Sequence, residues 1–489
     1  MCTYTWKLAP ATAAIAVLAT VLGAACLGNE EGPPTVVPTP PSQIAYVATD
    51  GGLWLVNADG SGKRQVVAAP VHSLPPTVHR YAQWSPNGTK IAYMNTTRDY
   101  PDFAADLWVW DDSDGERRLI DESVGSYQWV PGSEYISYTR TGTAAVSEEQ
   151  PSSWLDRQWD TWVVDAAQAD VKRKLLSDSE GYPWWATWSP DGKWFAHNGA
   201  SGTGSDADGY HRAPLFLVGQ DGSQRRKLTD DGVLFPRDGW SPDGRFLAYW
   251  KNEHGGSARV GDIYVMDLTA GVEIRLGEFT SDDFPQWAPT KDAPIFHNLR
   301  IDPGTDETEE LFERPGAIVE WSPDATKVAY VEGHPFGYGP RSLVVLDLNS
   351  KQRTTFHTSQ TQIPHVLSPG YWGNWSPDGR YFAFTASDAN ELEASLYVAD
   401  TTTGAARAVM AHASGSYSPA GDRLLIQREE PLPQPTVMPS PTPSPTPIAV
   451  PMRTIWVADP DGSHPVKIAD GTAIDGPAGR PGWRPVAQP

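Results

Sequence analysis

Histidine, cysteine and serine are the side chains of this sequence that could hold a metal or attack a substrate. Six of the eleven histidines fall on or near predicted long loops, in different repeats, with no His-Glu-x-x-His spacing and no cysteine beside them. No serine has glycine at both flanking second positions, so the Gly-x-Ser-x-Gly elbow of serine hydrolases is absent. We expect solvated or capping histidines and no bound metal or cofactor. The six are His197, His211, His254, His297, His334 and His365.

Charge and composition narrow the class of protein. The chain has 60 Asp and Glu against 38 Lys and Arg, a net charge of −22. This acidity disfavours non-specific binding to nucleic acid and electrostatic docking on anionic lipid. With 44 Gly, 45 Pro and 21 Trp, a coiled coil or a helical repeat array is also disfavoured. A soluble, aromatic-rich body remains.

An export signal is predicted at the start of the sequence. Lys7 is followed by an apolar stretch of Ala, Val, Ile and Leu, which ends in small residues before Cys26. This stretch is short for a membrane span and has the pattern of a secretory signal. We therefore predict a signal peptide over residues 1–25 and an extracytoplasmic protein.

The setting of Cys26 resembles the lipobox of bacterial lipoproteins, in which a cysteine after small residues is acylated. The family prefers leucine three residues before the cysteine, whereas Leu22 lies four before it. The resemblance implies a lipid anchor at Cys26, followed by a Pro/Thr-rich tether over residues 26–43. The alternatives are ordinary cleavage near Ala25, which leaves a free thiol, and a leader with no spacing role.

One phrase, Trp-Ser-Pro-Asp-Gly or a weaker variant, recurs nine times along the chain. The copies follow one another at intervals of about 50 residues, which is the length of a propeller blade. Their first residues are Trp84, Trp129, Trp188, Trp240, Trp287, Trp321, Trp375, Tyr417 and Trp483.

Each unit predicts four strands. Ser-Pro-Asp-Gly is typical of a tight turn, and the segment after it, such as Ile91-Ala92-Tyr93, has the β-branched and aromatic content of a strand. A third strand, such as Asp262 to Asp267, follows a variable loop, and an Asp-Gly hairpin leads to a fourth. The expected unit is a four-stranded antiparallel sheet.

The two ends of the chain carry complementary parts of a unit. The first unit starts at Ile44 without an opening Trp-x-Pro strand, and Trp483 begins an opening strand with no unit after it. We expect these strands to pair and close a ring, because closure removes exposed sheet edges.

The repeat closely resembles the TolB-like β-propeller repeat over about residues 44–486. The resemblance implies an all-β propeller that forms a single domain over residues 44–489. Propellers usually have about 4 to 8 blades, and the unit from Trp287 to Trp321 is the shortest. We interpret that unit as degenerate and expect eight blades, with seven and nine as alternatives.

A binding face is predicted on one side of this ring, which we call the long-loop face. In an up-and-down sheet, the variable loops between second and third strands share that side with the approaches to the opening strands. Aromatic side chains there could stack on sugars or grip a peptide, or instead pack between blades. The predicted binding-face residues are Tyr182, Trp184, Trp185, His197, Phe235, His254, Phe284, His297, His334, Tyr371 and Trp372.

A proline-rich insertion interrupts the last unit at residues 431–451. Strand-like segments flank it, so it must leave the ring and return. It predicts a solvated loop, with or without glycosylation of the kind found on Pro/Thr/Ser-rich stalks, or a proline-rich ligand for a partner.

These patterns favour a non-enzymatic, lipid-anchored scaffold in the periplasm or at the cell surface, or otherwise a secreted protein. TolB-like propellers commonly dock proteins, so the resemblance implies an envelope protein as partner, with a glycan as the other ligand. Some oligosaccharide lyases that resemble this propeller hold a metal on channel histidines, so the alternative is a metal-assisted carbohydrate-active enzyme. We expect a monomer that binds no nucleic acid and contacts membrane through its anchor.

Overall fold

The chain divides at Pro40, and every residue described below belongs to the second unit, Pro41–Pro489. The computed structural model describes residues 42–69, 80–95, 105–141, 159–177, 181–199, 213–234, 239–251, 260–280, 286–289, 294–296, 299–302, 307–311, 319–332, 341–359, 375–386, 394–430, 452–474 and 482–486.

The regular elements within these ranges are all β-strands, which confirms the all-β class. In the same ranges no helix is long and apolar enough to cross a membrane. In chain order the strands are β1 (Gln43–Ala48), β2 (Leu53–Asn57), β3 (Arg64–Val67), β4 (Arg80–Trp84), β5 (Lys90–Asn95), β6 (Ala105–Asp111), β7 (Arg117–Trp129), β8 (Tyr135–Thr141), β9 (Trp159–Asp165), β10 (Gln168–Leu176), β11 (Gly181–Trp188), β12 (Trp194–Gly199), β13 (Ala213–Gly219), β14 (Arg226–Leu234), β15 (Phe246–Lys251), β16 (Val260–Asp267), β17 (Val272–Thr280), β18 (Gln286–Trp287), β19 (Pro294–Phe296), β20 (Leu299–Asp302), β21 (Glu307–Glu310), β22 (Val319–Trp321), β23 (Lys327–Glu332), β24 (Arg341–Asp347), β25 (Arg353–Ser359), β26 (Tyr381–Ala386), β27 (Ser395–Asp400), β28 (Ala405–Ala411), β29 (Ala413–Tyr417), β30 (Leu424–Glu429), β31 (Arg453–Ala458) and β32 (Val466–Ala473).

Neighbouring strands pair antiparallel and follow chain order within each sheet. Three sheets have seven strands, two have four and one has three. The seven-stranded sheets arise because β7, β14 and β32 each pair with strands on both sides, so one long strand ends one repeat and begins the next. The antiparallel architecture expected from the repeat is confirmed.

The Ser-Pro-Asp-Gly turns share one hydrogen-bond arrangement. The Ser241 hydroxyl donates to Asp243 Oδ1 at 2.8 Å and accepts the Phe246 N–H at 2.8 Å. Asp243 Oδ1 also accepts the Arg245 N–H at 2.8 Å. Gly244 has φ 73°, a left-handed conformation that favours glycine. The same serine bonds recur at Ser85, Ser189, Ser322 and Ser376.

The hydrophobic core lies between consecutive sheets. Val331 and Leu343, from β23 and β24, form one buried cluster with Trp375 and Phe382 of the next repeat. Strands such as β15 are therefore buried on both faces, as their nearly unbroken apolar sequence predicts. Packing between consecutive repeats, both across separate sheets and within the seven-stranded sheets, holds the repeats in order.

Opening tryptophans also link consecutive repeats through hydrogen bonds. The Trp129 indole N–H donates to the Gln83 carbonyl at 3.3 Å, and the Trp321 indole donates to the Gln286 carbonyl at 3.2 Å. In both pairs the acceptor directly precedes the opening residue of the previous repeat. A buried indole N–H needs such a partner, so the bond fixes the spacing between first strands.

The ends of the described chain lie side by side. Tyr46 of β1 pairs with Ala473 of β32, and Ile44 forms an isolated bridge with Trp483. The Arg484 N–H donates to the Gln43 carbonyl at 2.8 Å. The pairing expected between the first and last strands is thus present.

The short unit between Trp287 and Trp321 differs from its expected degenerate form. It holds a complete four-stranded sheet, β18 to β21, with strands of 2, 3, 4 and 4 residues. Short strands still pair because the neighbouring sheet covers them, and Trp321 and Ala288 share a buried cluster. The unit was hard to recognise because segments this short carry little alternation.

Three predicted segments fall largely or wholly outside the described residues. They are the signal peptide over 1–25, the tether over 26–43 with Cys26, and the proline-rich insertion over 431–451. Each stays a prediction.

We expect Trp240→Ala to lower the free energy of unfolding by about 3 to 5 kcal/mol, because a large buried side chain is lost from an interface between sheets. Trp240 is 7% exposed and packs in a cluster with Leu247 and Tyr249. Chemical denaturation measures the change. Val171→Ala is the control, since Val171 is 62% exposed. Equal stability of the two variants would contradict a structural role for the opening tryptophans.

Candidate functional site

The strands of each sheet are joined by different kinds of connection at their two ends. The tight Ser-Pro-Asp-Gly turns and the Asp-Gly hairpins lie at one end, and the second strands finish at the other. The second end is the long-loop face. Described residues at or beside these strand ends are Asn95, Arg140, Asn198, Lys251, Glu332, Glu429 and Arg453.

A buried carboxylate lies where β7 passes from one repeat to the next. Asp121 is 6% exposed, and the Tyr138 hydroxyl donates to its Oδ2 at 2.7 Å. Lys172 Nζ lies 3.2 Å from Oδ2, and Arg140 Nε lies 3.6 Å from Oδ1. The backbone bends at the neighbouring Ser123, which has φ 58°. Two cations and a phenol therefore hold this acid in place.

The electrostatics keep Tyr138 a hydrogen-bond donor. Burial, with the hydrogen bond to the Asp121 carboxylate, raises the pKa of the Tyr138 hydroxyl far above its usual value. The phenol thus retains its proton throughout the physiological range. The arrangement suits fixed positioning rather than proton transfer.

A second network spans the sheet of β15 to β17, in which Lys251 pairs with Asp262 at the long-loop end, whereas Glu273 pairs with Met266 toward the tight-turn end. The Tyr249 hydroxyl donates to Glu273, and Lys251 Nζ lies 2.5 Å from the same carboxylate. Burial, followed by the bond to Glu273, raises the pKa of Tyr249 far above its usual value. Asp262 is 2% exposed and accepts Arg275 at 2.5 Å. Asp262, like Asp121, is therefore paired with a cation near the long-loop face.

His197 occupies a structural position within its sheet. It has no exposed surface, its Nδ1 lies 2.9 Å from the Asn198 carbonyl, and its ring stacks on Phe216 at 5.5 Å. His197 pairs with Phe216 in the same register as Tyr249 with Tyr264. The histidine therefore takes the place of the tyrosine in the Ile-Ala-Tyr strand.

Three predicted binding-face residues, Tyr182, Trp184 and Trp185, lie in β11, the first strand of the same sheet. The pairing of β11 with β12 shifts register between Tyr182 and Thr187. Residues 183–186 therefore bulge opposite a single residue of β12. The backbone brings these residues beside His197, as expected for one sheet.

Tyr81 of β4 and Tyr127 of β7 also lie in first strands, although the sequence pattern did not predict a role for them. Tyr81 lies in β4, is 62% exposed and has φ 58°. The Tyr127 hydroxyl donates to the Tyr81 carbonyl, and it lies 2.8 Å from the Ala92 carbonyl. One signal could have found Tyr81, because it precedes its opening tryptophan by the same three residues as Trp185 does.

The other predicted binding-face residues lie outside the described parts of the chain. They are Phe235, His254, Phe284, His297, His334, Tyr371 and Trp372. Among the residues that the structure describes, no group of three or more His, Cys, Asp or Glu could hold a metal ion.

Two proteins are similar to the chain in sequence, and no protein-family model matches it. An uncharacterized protein of Agrobacterium fabrum is 29% identical over 218 residues, which are 40% of this chain and 67% of that protein. Dipeptidyl-peptidase 5 of Porphyromonas gingivalis is 26% identical over 251 residues, 39% of this chain and 36% of the peptidase. These similarities indicate distant homology, and the match spans little more than a third of the peptidase.

Solved structures similar to the chain are β-propellers. A eukaryotic initiation factor matches with a TM-score of 0.55 and 16% identity, over 92% of this chain and 99% of that one. Dipeptidyl peptidase 4 of Porphyromonas gingivalis matches with a TM-score of 0.50 and 10% identity, over 85% of this chain and 63% of that one. The chain has a β-propeller fold.

TolB of Acinetobacter baumannii is also similar, with a TM-score of 0.29 and 14% identity over 77% of this chain and 65% of that one. The β-propeller fold expected from the repeat is confirmed by the first two structures, the TolB-like character stays a prediction, and none of these likenesses extends to a shared activity.

We expect the Asp121 and Tyr138 side chains to contribute to stability as a coupled pair. Asp121→Ala leaves a buried phenol unpaired, so it should cost about 2 to 4 kcal/mol. Asp121→Asn keeps an acceptor and should cost less. In a double-mutant cycle with Tyr138→Phe, we expect a coupling energy of about 1 kcal/mol or more by urea denaturation. Additive effects would show that the two groups act independently.

Proposed function

We propose that this protein is a non-enzymatic binding scaffold of the cell envelope, which docks a protein or a glycan on its long-loop face. The acids at this face carry the proposal. Asp121 and Asp262 are each held by a cation, and the Tyr138 hydroxyl also binds Asp121. A general acid or base needs access to its substrate, whereas these carboxylates are buried and bound by neighbouring side chains.

The same groups favour a pre-organised surface. The ion pairs connect strands of one sheet, since Arg140 of β8 and Lys172 of β10 bind Asp121 of β7, and Arg275 of β17 binds Asp262 of β16. The strands are therefore rigid supports for the variable loops. Binding then orders few groups at the interface, which lowers its entropic cost. We do not propose a peptidase activity like that of Dipeptidyl-peptidase 5, because the given sequence carries no Gly-x-Ser-x-Gly elbow.

The proposal places the protein outside the cytoplasm, anchored by acylation of Cys26. The support is the signal pattern over residues 1–25 and the lipobox-like setting of the cysteine. The Pro/Thr-rich segment to residue 43 then acts as the tether.

We also propose that the strands form nine blades, one more than expected from sequence, in a ring closed by both chain ends. Nine opening phrases support this number, as does the complete four-stranded sheet of the short unit. Two bonds support closure. The Trp483 indole donates to the Ser416 carbonyl at 3.1 Å, and the Trp84 indole donates to the Gly482 carbonyl at 3.2 Å. The segment around Trp483 thus links the repeat that begins near Tyr417 to the one that begins at Trp84.

If the ring closes in this way, Trp483→Ala should lower the free energy of unfolding by about 3 to 5 kcal/mol, because Trp483 is 1% exposed and packs on Ile44 and Leu425. Trp483→Phe keeps an aromatic side chain but loses the indole hydrogen bond. We expect it to lower the free energy of unfolding by about 1 to 2 kcal/mol. Chemical denaturation of both variants measures the difference. A stable Trp483→Ala variant would contradict closure through this segment.

The binding proposal is tested with charge reversals at the two ends of the same sheets. Glu332→Lys and Arg453→Glu alter the long-loop face, whereas Lys351→Glu and Arg423→Glu alter the opposite end. The full-length chain is immobilised, and a partner from an envelope extract is identified, purified and titrated. We expect Glu332→Lys and Arg453→Glu each to weaken binding at least tenfold, about 1.4 kcal/mol. The two variants at the opposite end should bind like the parent chain.

The partner's mass is followed during the same titration. An unchanged partner supports a scaffold. Two results together would contradict the proposal: the partner is converted to a product, and Glu332→Lys and Arg453→Glu leave its affinity unchanged. They would favour a carbohydrate-active or other enzyme.

A further inference from the structure

The described chain enters the first repeat at a position where other repeats carry a tight turn. The Ala58 N–H donates to the Ser42 carbonyl at 2.8 Å. In a complete repeat, the Leu268 N–H makes the same bond to the Arg245 carbonyl at 2.9 Å. Arg245 directly follows the glycine of a Ser-Pro-Asp-Gly turn. Ser42 therefore lies just after the place of such a turn, and the chain before it joins the body at the tight-turn end.

The other half of this turn position comes from the segment around Trp483. The Arg484 N–H donates to the Gln43 carbonyl at 2.8 Å, and the Ser241 N–H donates to the Phe246 carbonyl at 2.9 Å in a complete repeat. Gln43 therefore corresponds to Phe246, the first residue of a second strand. Two segments that are far apart in the chain take the place of one continuous Ser-Pro-Asp-Gly connection.

Side chains from two repeats hold this entry point. Arg484 Nη1 donates to Gln43 Oε1 at 3.0 Å and lies 2.7 Å from Asp112 Oδ2. Arg64 Nη2 lies 2.7 Å from the other carboxylate oxygen of Asp112. Because these contacts converge on the start of β1, the point at which the preceding chain joins the body is fixed relative to the sheets.

The first strand of the described chain, β1, runs from the tight-turn end to the long-loop face. Gln43 pairs with Asn57, which lies beside an Asp-Gly hairpin, and Val47 pairs with Leu53 at the other end. A strand of this length spans about 20 Å. The long-loop face therefore lies about one strand length beyond the point at which the chain enters.

The tether predicted from sequence is short compared with the path around the body. The segment from Cys26 to Ser42 spans about 50 Å as polyproline II, at about 3.1 Å per residue. To bring the long-loop face to the membrane, the tether would pass outward over β2 and β3 for about 10 Å and then along the strands for about 20 Å, before it cleared the loops. A chain pressed along the body loses conformational freedom, which disfavours this orientation.

We propose that the tight-turn end faces the membrane to which Cys26 is anchored, and that the long-loop face is directed away from it, toward an envelope protein that is not embedded in that bilayer. Charged side chains of both signs at this face, such as Glu429 and Arg453, suit a protein surface with complementary charges. This inference rests on the proposed function, because it takes the anchor and the docking face from it and adds which kind of partner reaches that face.

The thiol content of the sequence makes the orientation measurable. The sequence contains two cysteines, Cys2 and Cys26. Cys2 lies in the predicted signal peptide and Cys26 carries the proposed lipid, so an introduced cysteine is the one free thiol of the processed protein. A fluorescent donor can therefore be attached at a single chosen position.

Two matched pairs of variants place the donor at opposite ends of one strand. Arg423→Cys lies before β30 and Glu429→Cys at its end. Gln352→Cys and Thr358→Cys form the same kind of pair around β25 in another repeat. All four positions are exposed. Circular dichroism of each labelled variant checks the fold.

The processed, lipidated protein is inserted from outside into vesicles of phosphatidylethanolamine and phosphatidylglycerol that carry a rhodamine acceptor on a lipid headgroup. Energy transfer from each donor to the lipid is measured. We expect Arg423→Cys and Gln352→Cys to show about twofold higher transfer efficiency or more than their partners, because each strand separates its two labels by about 20 Å. Equal transfer from the two ends, or higher transfer from Glu429→Cys and Thr358→Cys, overturns the orientation.

The variant Cys26→Ala, which cannot be acylated, separates this failure from failure of the proposed function. If Cys26→Ala binds vesicles as the parent protein does, or if the parent protein does not bind them, the proposed anchor is rejected and the orientation with it. Bound parent protein without the expected difference in transfer rejects the orientation alone. The envelope-partner titration tests the docking face independently, because it needs no membrane.

The partner found in that titration tests the second half of the inference. We expect a protein that is released from envelopes without detergent. A partner that spans the anchoring membrane, or a glycan in place of a protein, overturns the assignment of the partner while the long-loop docking face stands.

Discussion

The packing of buried opening tryptophans between consecutive repeats is the interaction on which this structure depends. An indole between two sheets is far from water, and its N–H must find an acceptor there. Trp129, Trp321, Trp84 and Trp483 each donate to a carbonyl that directly precedes the previous opening residue. The ring of each tryptophan fills the interface while its N–H sets the offset between sheets. At these four positions the hydrogen bond helps one repeat to position the next, and the Trp188 indole donates instead to the Ser137 hydroxyl at 2.8 Å.

This linkage leaves the two ends of the strands with different roles. At the tight-turn end, the same serine and aspartate bonds recur from repeat to repeat, so that end is uniform. At the long-loop face the repeats differ: Asp121 binds Tyr138 in one, and Asp262 binds Arg275 in another. A uniform end stabilises the scaffold, and a varied end can distinguish ligands. The bulge of β11 lies on the varied side of this division.

Particular residues show how far sequence reasoning reached. The turns, second strands and buried tryptophans followed from local chemistry, since Ser-Pro-Asp-Gly favours one turn and Ile-Ala-Tyr favours a strand buried on both faces. His197 was harder, because histidine suggests chemistry, whereas its register shows a buried substitute for tyrosine. The short unit was also misjudged, because strands of 2 to 4 residues depend on neighbouring sheets for their stability.

The sequence by itself determined the repeat, the all-β class, the strand order and the pairing of the two ends, because these depend on local propensity and on a pattern repeated nine times. Only the tertiary structure decided which residues meet. Asp121 and Tyr138 lie 17 positions apart, and Trp483 and Ser416 lie 67 apart. Their contacts arise from the packing of whole sheets, and so does the exposure of Tyr81. No local pattern encodes such distances, since they depend on the combined geometry of several repeats.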